Sequence, residues 1–325
     1  MGDVQGRNNT LAKAQKYTVT QFNAEFPNDD ACLAYIMEQR FPGCLVTCEK
    51  CKEEHKHYRI AGRKVYSCDH CGTHISPLAG TIFEKSCTPL KLWFHAMFQM
   101  GSTKCGISAK QIQRETGVTY KTAWRMFKQI RTLMSEEIAL EGSSVEMDEM
   151  YHGGKRKHGT GRPAVGDKTK IPVVGIVERP TPEKKGRVVA RVTPDVKIGT
   201  MRGLLREYVL PKSTVYTDEM KSYIGLETMQ KQVADRDGKK QWKPLGYRHR
   251  RINHSAKVYV MGDIHTNTVE GFWSLIKRGI GGTHHAVSQK YLQEYLNEYA
   301  FRYNRRGVER PMFTQILEQV SERAV

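Results

Sequence analysis

Two kinds of residue in this 325-residue chain are placed to do chemistry: cysteines in matched pairs, and acids at the ends of short apolar strands. Cys48-x2-Cys51 and Cys68-x2-Cys71 flank a stretch, residues 58–66, that reads as a hairpin. Each x2 spacing lets two thiolates approach one tetrahedral ion, so two such knuckles predict a zinc site. With all four positions filled by protein, the zinc is structural and not catalytic. Cys44, His55, His57 and His70 lie near enough in sequence to compete as ligands, yet none improves on the matched four. Cys32, Cys87 and Cys105 carry no assigned role.

The acids are Asp148, Asp218 and Glu270. Along residues 145–149, strand alternation puts Glu146 and Asp148 on one face and Val145 and Met147 on the other. A glycine-containing basic loop follows, and its Lys155 and Arg156 suit phosphate contact. Asp218 closes the otherwise uncharged strand 215–217. Glu270 lies in a helical stretch, where Asn267 and the later Lys277 share its face. Three carboxylates from different elements can hold two magnesium or manganese ions, one activating water or a 3′-hydroxyl and the other steadying the departing oxygen of a phosphate. Any one of these acids alone reads as a solvated surface residue; order and context carry the inference.

The elements that must position them divide the chain. Residues 1–41 read as a flexible arm followed, within 19–41, by a helix that starts at Asn28, Asp29 and Asp30; 42–88 read as the zinc ribbon, and 89–140 as a helical segment. Within that segment Ser108 and Gln111 form a capping-box pattern. Thr119 caps a second helix that buries Ala123, Trp124, Phe127 and Ile130 and shows Tyr120, Lys121, Arg125 and Lys128 outward. Two short helices around Gly117 with a basic outer face fit a helix-turn-helix, Lys121 and Arg125 being its candidate DNA contacts. From 141 to 310 the pattern turns to strands at 144–150, 171–178, 187–193 and 214–217, with helices at 197–208 and 289–302. Residues 311–325 read as a C-terminal tail. The fold class is thus multidomain α+β: a zinc ribbon, a helical segment, then a mixed sheet flanked by helices.

A net charge of +18 points to a polyanion, and nucleic acid outranks a membrane surface because no basic amphipathic anchor stands out. No apolar run is long enough to span a membrane, and the first residues carry no signal-peptide pattern, which places the chain in a reducing, cytoplasmic compartment beside the DNA of a nucleoid. Residues 238–262 contain no acid; Lys239, Lys240, Arg250 and Arg251, with Trp242 and Tyr247 as stacking surfaces, form a second candidate DNA contact.

The strand order, with Asp148 on the first strand and Asp218 after the fourth, resembles the RNase H-like fold of DDE transposases. The strings Asp148-Glu149-Met150-Tyr151-His152-Gly153-Gly154-Lys155, Thr217-Asp218, the run from His265 through Glu270 to Trp273, and Tyr303-Asn304-Arg305-Arg306 are similar to those of bacterial insertion-sequence transposases related to the Merlin superfamily, which also carry an N-terminal zinc ribbon. The resemblance implies that Asp148, Asp218 and a third-motif residue bind the catalytic ions, that the third is Glu270 or Asn267, and that Lys277 touches DNA. It further implies cleavage of double-stranded transposon ends and their joining to target DNA by a homo-oligomer. A DNA-binding regulator without chemistry, and a nuclease without strand transfer, are the alternatives.

Overall fold

The computed structural model describes residues 17–153, 170–182, 184–234, 240–252 and 265–322. The chain forms two compact units, Met1–Met134 with Val308–Val325, and Ser135–Gly307.

In the first unit the helix expected to start at Asn28 is present as α2 (Asp29–Arg40), and a shorter helix not expected from the sequence, α1 (Val19–Glu25), precedes it. Pro27 interrupts the run, and Asn28 restarts it by accepting from the Ala31 N–H. The ribbon follows as a four-stranded antiparallel sheet, β1 (Leu45–Thr47), β2 (Glu54–Arg59), β3 (Tyr66–Cys68) and β4 (His74–Ile75). Next come α3 (Leu90–Ser102), α4 (Ala109–Thr116) and α5 (Tyr120–Leu133). The segment expected as a tail is largely a helix, α9 (Met312–Glu322), which packs on α3 and buries Phe313, Ile316, Leu317 and Val320. Apolar residues at that spacing need a partner face. They find it in an aromatic core where Phe313 meets Phe22, Phe26, Phe94 and Phe98.

The second unit is built on a five-stranded mixed sheet in the order β11-β8-β5-β6-β7. Its strands are β5 (Ser144–His152), β6 (Ile171–Glu178), β7 (Val188–Val192), β8 (Thr214–Thr217) and β11 (Arg248–Arg251). β5, β6 and β7 run antiparallel, whereas β8 is parallel to β5 and β11 parallel to β8. Alternation decides the two faces. Val145, Met147, Val174, Ile176 and Val215 pack with Met201 and Leu205 of α6 (Ile198–Tyr208). Met150, Val173, Val177 and Ala190 pack with α7 (Asn267–Arg278) and α8 (Gln289–Asn304). Glu146 and Asp148 belong to this second face.

The outer edge of β7 is closed by side chains. Asn304 Oδ1 accepts from the Val188 N–H and its amide donates back to the Val188 carbonyl, while Gln293 does the same for the Val192 N–H and the Ala190 carbonyl. An edge that carries its own partners offers no template for another strand. Arg305, next in the Tyr303-Asn304-Arg305-Arg306 string, grips Glu136 with two nitrogens at 2.8 and 3.0 Å.

Candidate functional site

The parallel register between β5 and β8 pairs Glu146 with Tyr216. That is the last pair between the two strands, and Asp148 and Asp218 each follow it by two residues. Asp218 lies just past the end of β8, where its Oδ1 accepts from the Met220 N–H at 2.9 Å. Asp148 Oδ2 accepts from the Trp273 indole N–H at 2.9 Å. Directly across the sheet from Asp148 stands Gly175. A Cβ at that position would lie 2.6 Å from the Trp273 ring, so only glycine lets the indole lie on the strand and reach the carboxylate.

Glu270 is exposed in the first turn of α7, and its Oε1 accepts from the Thr266 hydroxyl at 3.2 Å. Burial pushes the Asp148 carboxyl up to about 6, and the negative charges of Asp218 and Glu270 push the same way, against the hydrogen bond from Trp273. The three acids therefore share one electrostatic neighbourhood. Their oxygens do not close to within 4.8 Å of one another as a set. Asn267, at the first position of α7, is exposed; its backbone N–H points to His265 Nδ1 at 3.4 Å. Lys277 is exposed in the last turn of the same helix.

Sequence reasoning gave no role to Glu146 or Arg179. Glu146 is completely buried, and its two oxygens accept from the Thr268 and Val269 N–H groups, the Thr268 hydroxyl and Arg179 Nε at 2.8–3.0 Å. The signal for Glu146 was its place on the Asp148 face of β5. Arg179 lies just past the strand expected at 171–178, beside Pro180.

Basic residues lie in both units. In the first, α4 ends at Gly117, a left-handed cap at φ 72°, and α5 starts at Thr119, whose hydroxyl accepts from the Thr122 N–H. Ser108 caps α4 as expected, but the Gln111 side chain turns to Glu115. Lys121 and Arg125 are exposed on the outer face of α5, along an open groove of about 690 Å³ also lined by Tyr120 and Lys128. Trp124 lines it too, half-buried on the outer face between Tyr120 and Lys128, instead of joining Ala123, Phe127 and Ile130 in the core. One-turn spacing from Tyr120 and Lys128 fixes that side.

In the second unit the basic stretch between Asp218 and Glu270 is partly regular. β9 (Gln230–Ala234) and β10 (Lys240–Pro244) pair as an antiparallel ribbon whose side chains are nearly all exposed. Trp242 is 63% exposed, and Lys231 stands directly opposite Lys243. Arg250 and Arg251 are exposed on β11. Tyr247 departs from expectation: it is buried, and its hydroxyl donates to the Val209 carbonyl at 2.8 Å. The two apolar residues that bracket Gly246, Leu245 and Tyr247, both enter the core beneath α6. Lys155, Arg156 and Lys239 lie outside the described residues.

Cys48, Cys51, Cys68 and Cys71 bring their sulfurs within 4.8 Å of one another. Matching turns present them: the Lys52 N–H donates to the Cys48 carbonyl and the Gly72 N–H to the Cys68 carbonyl. Cys48 and Cys71 Sγ are 3.5 Å apart, against about 3.8 Å expected for thiolates on a tetrahedral zinc with Zn–S near 2.3 Å. Hydrogen bonds from the Thr73 side chain and backbone pull the Cys71 thiol down to about 6. Four sulfurs gathered this closely make a donor set that fits zinc. His55 and His70 stack beside it at 4.9 Å, His70 Nδ1 lying 3.4 Å from Cys51.

Comparison with known proteins adds the family. Residues 139–236 and 233–304 match the ISXO2-like transposase domain, and residues 27–74 match a transposase zinc-ribbon domain. An uncharacterized protein in the transposable element ISH50 of Halobacterium salinarum is 29% identical over 267 residues, covering 76% of this chain and 81% of that protein. An uncharacterized transposase-like protein of Haemophilus influenzae is 31% identical over 94 residues, or 29% of this chain and 63% of its own length. The resemblance to insertion-sequence transposases with a zinc ribbon is thus borne out, and the cysteine cluster together with the ribbon match supports a structural zinc. Among the described residues no helix is long and apolar enough to cross a membrane.

Proposed function

This chain belongs to the ISXO2-like transposase family, and we propose that it is a DDE-type transposase whose second unit is an RNase H-like catalytic domain. In this reading Asp148, Asp218 and Glu270 hold two magnesium or manganese ions. The single observation that carries it is Asp148, a half-buried carboxyl on β5 that desolvation, and then the negative charges of Asp218 and Glu270, push up. Anions whose charges disfavour one another in this way are relieved when cations join them. Bound there, the ions supply Lewis acidity for hydrolysis at the 3′ end of the transposon and for attack of the freed hydroxyl on target DNA.

The chain's own groups do the rest. Trp273 holds the Asp148 carboxylate in one orientation, and the Met220 N–H does so for Asp218. Glu270 is favoured over Asn267 as the third ligand because its charge is felt at Asp148. Lys121 and Arg125 on α5, Lys240 with Trp242 on the ribbon, Arg250, Arg251 and Lys277 are the DNA contacts. The facing pair Lys231 and Lys243 supports this, since like charges directly opposite on a ribbon are unfavourable until a polyanion lies across them. The working form is a homo-oligomer on paired ends.

The test is cleavage and joining of short transposon-end duplexes in magnesium or manganese. Asp148→Asn, Asp218→Asn and Glu270→Gln each abolish both steps while end binding persists, and Asn267→Ala loses activity only in part. Full activity of Asp148→Asn overturns the catalytic reading. Cleavage without joining leaves a nuclease.

A further inference from the structure

The buried carboxylate of Glu146 has no place among the three acids, yet it is the most heavily hydrogen-bonded acid beside them. A fully buried carboxylate costs several kcal/mol unless its lone pairs are met. Oε1 accepts from Arg179 Nε and the Thr268 hydroxyl, both at 2.8 Å, and lies 3.3 Å from His265 Nδ1. Oε2 accepts from the Thr268 N–H at 2.8 Å and the Val269 N–H at 3.0 Å. With no access to solvent and its oxygens committed, Glu146 is not itself a metal ligand. Every partner except Arg179 lies within residues 265–269, immediately before Glu270.

That placement has a helical meaning. The first N–H groups of a helix lack partners and are normally capped by a side chain just before them. Thr266, at the cap position of α7, makes no such bond, and its hydroxyl goes to Glu270 instead. The cap comes from β5, across the sheet, and it is an anion, the charge a helix N-terminus favours. Arg179 extends the clasp: Nη2 donates to the His265 carbonyl at 2.6 Å, and its guanidinium lies 3.6 Å from the centre of the Tyr216 ring. Tyr216 pairs with Glu146 across the two strands. On both strands the clasp stands two residues ahead of an acid, Asp148 on β5 and Asp218 after β8.

We propose that Glu146 is a positioning residue, which with Arg179 fixes the first turn of α7, and so Glu270, against the strands that carry Asp148 and Asp218. The proposal rests on the reading of those three acids as the metal site. Iron(II) with ascorbate and peroxide, applied to the full zinc-loaded chain, cuts the backbone wherever the ion is held. The wild type is expected to be cut near 148, 218 and 270. In Glu146→Gln, whose amide presents donors to donors, the cut near 270 disappears while those near 148 and 218 persist, at an iron concentration about 10- to 100-fold higher. Thr268→Val, which removes one donor and leaves the carboxylate buried, shows the same selective loss more weakly. A folded Glu146→Gln cut at all three sites as in the wild type overturns the proposal. If that variant does not fold, Thr268→Val and Arg179→Lys decide: an unchanged cut near 270 in both overturns it, and its selective loss in either supports it. A wild type cut at none of the acids overturns the metal reading and this inference with it.

Discussion

Removing the charge of Asp148 should stabilise the fold while destroying the site. The Asp148 carboxyl is pushed up from the ordinary aspartate range to about 6, chiefly through burial and then through Asp218 and Glu270. A rise of that size is worth about 3 kcal/mol against the ionised form at neutral pH. Asn keeps an acceptor for Trp273, and its own buried amide returns part of the gain, which leaves about 1–2 kcal/mol. For a unit of this size that is about 2–8 °C in Tm. The sign follows from proton counting. Between about pH 4 and 6 the folded protein binds the extra proton, so wild-type stability falls as pH rises through that window and levels off above it. Asp148→Asn should therefore match the wild type near pH 4 and melt higher at pH 7.5. The measurement is thermal unfolding in buffers stripped of magnesium and manganese without a chelator, which would strip the ribbon's zinc. Added magnesium should then raise the wild type alone. A variant that melts at or below the wild type at pH 7.5 refutes the reasoning.

Gly175→Ala drives a methyl into the Trp273 ring and should destabilise the second unit by about 1–3 kcal/mol, with a shift in tryptophan emission; an unchanged melt and spectrum would show that the indole does not lie on β6. Cys68→Ser should release the zinc, read by metal analysis of the purified protein, and a variant that keeps its full complement contradicts the four-cysteine site. Changing Lys231, Lys240 and Lys243 together to Ala should flatten the plot of log affinity against log salt by about 0.9 per lost phosphate contact, and an unchanged slope would take the ribbon off the DNA. Tyr247→Phe should leave that slope unchanged and lower stability by about 1 kcal/mol, the reverse of what a stacking residue would do.

What the sequence made legible is what local rules control. Strand alternation around Met147 and Asp148, paired x2 cysteines and the threonine before α5 each depend on neighbours a few residues away, and each reading survives in the structure. Burial set by distant partners was not legible. Trp124 and Tyr247 are both aromatics in basic stretches. One was expected inside and lies half-buried on the outer face, while the other was expected to stack on bases and is core. Residues 311–325 read as a tail because their partner face on α3 lies some 200 residues earlier in the chain.

The same limit explains why the candidate acids stood out in the sequence and the residues packed around them did not. An acid that ends a strand is visible because it breaks an apolar pattern, as Asp218 does after Val215-Tyr216-Thr217. Glu146 breaks no pattern, because a strand with one polar face tolerates an acid there, and its meaning comes only from Thr268 and Val269, more than 120 residues later. Gly175 looked like one more small residue in an apolar strand until the Trp273 ring was laid over it. A buried anion caps the helix of the third acid, and a missing side chain makes room for the indole that holds the first. Substitutions at Glu146 or Gly175 should therefore disturb the geometry of the acids without touching their charges, whereas substitutions at Asp148, Asp218 or Glu270 should remove charge and leave the geometry standing.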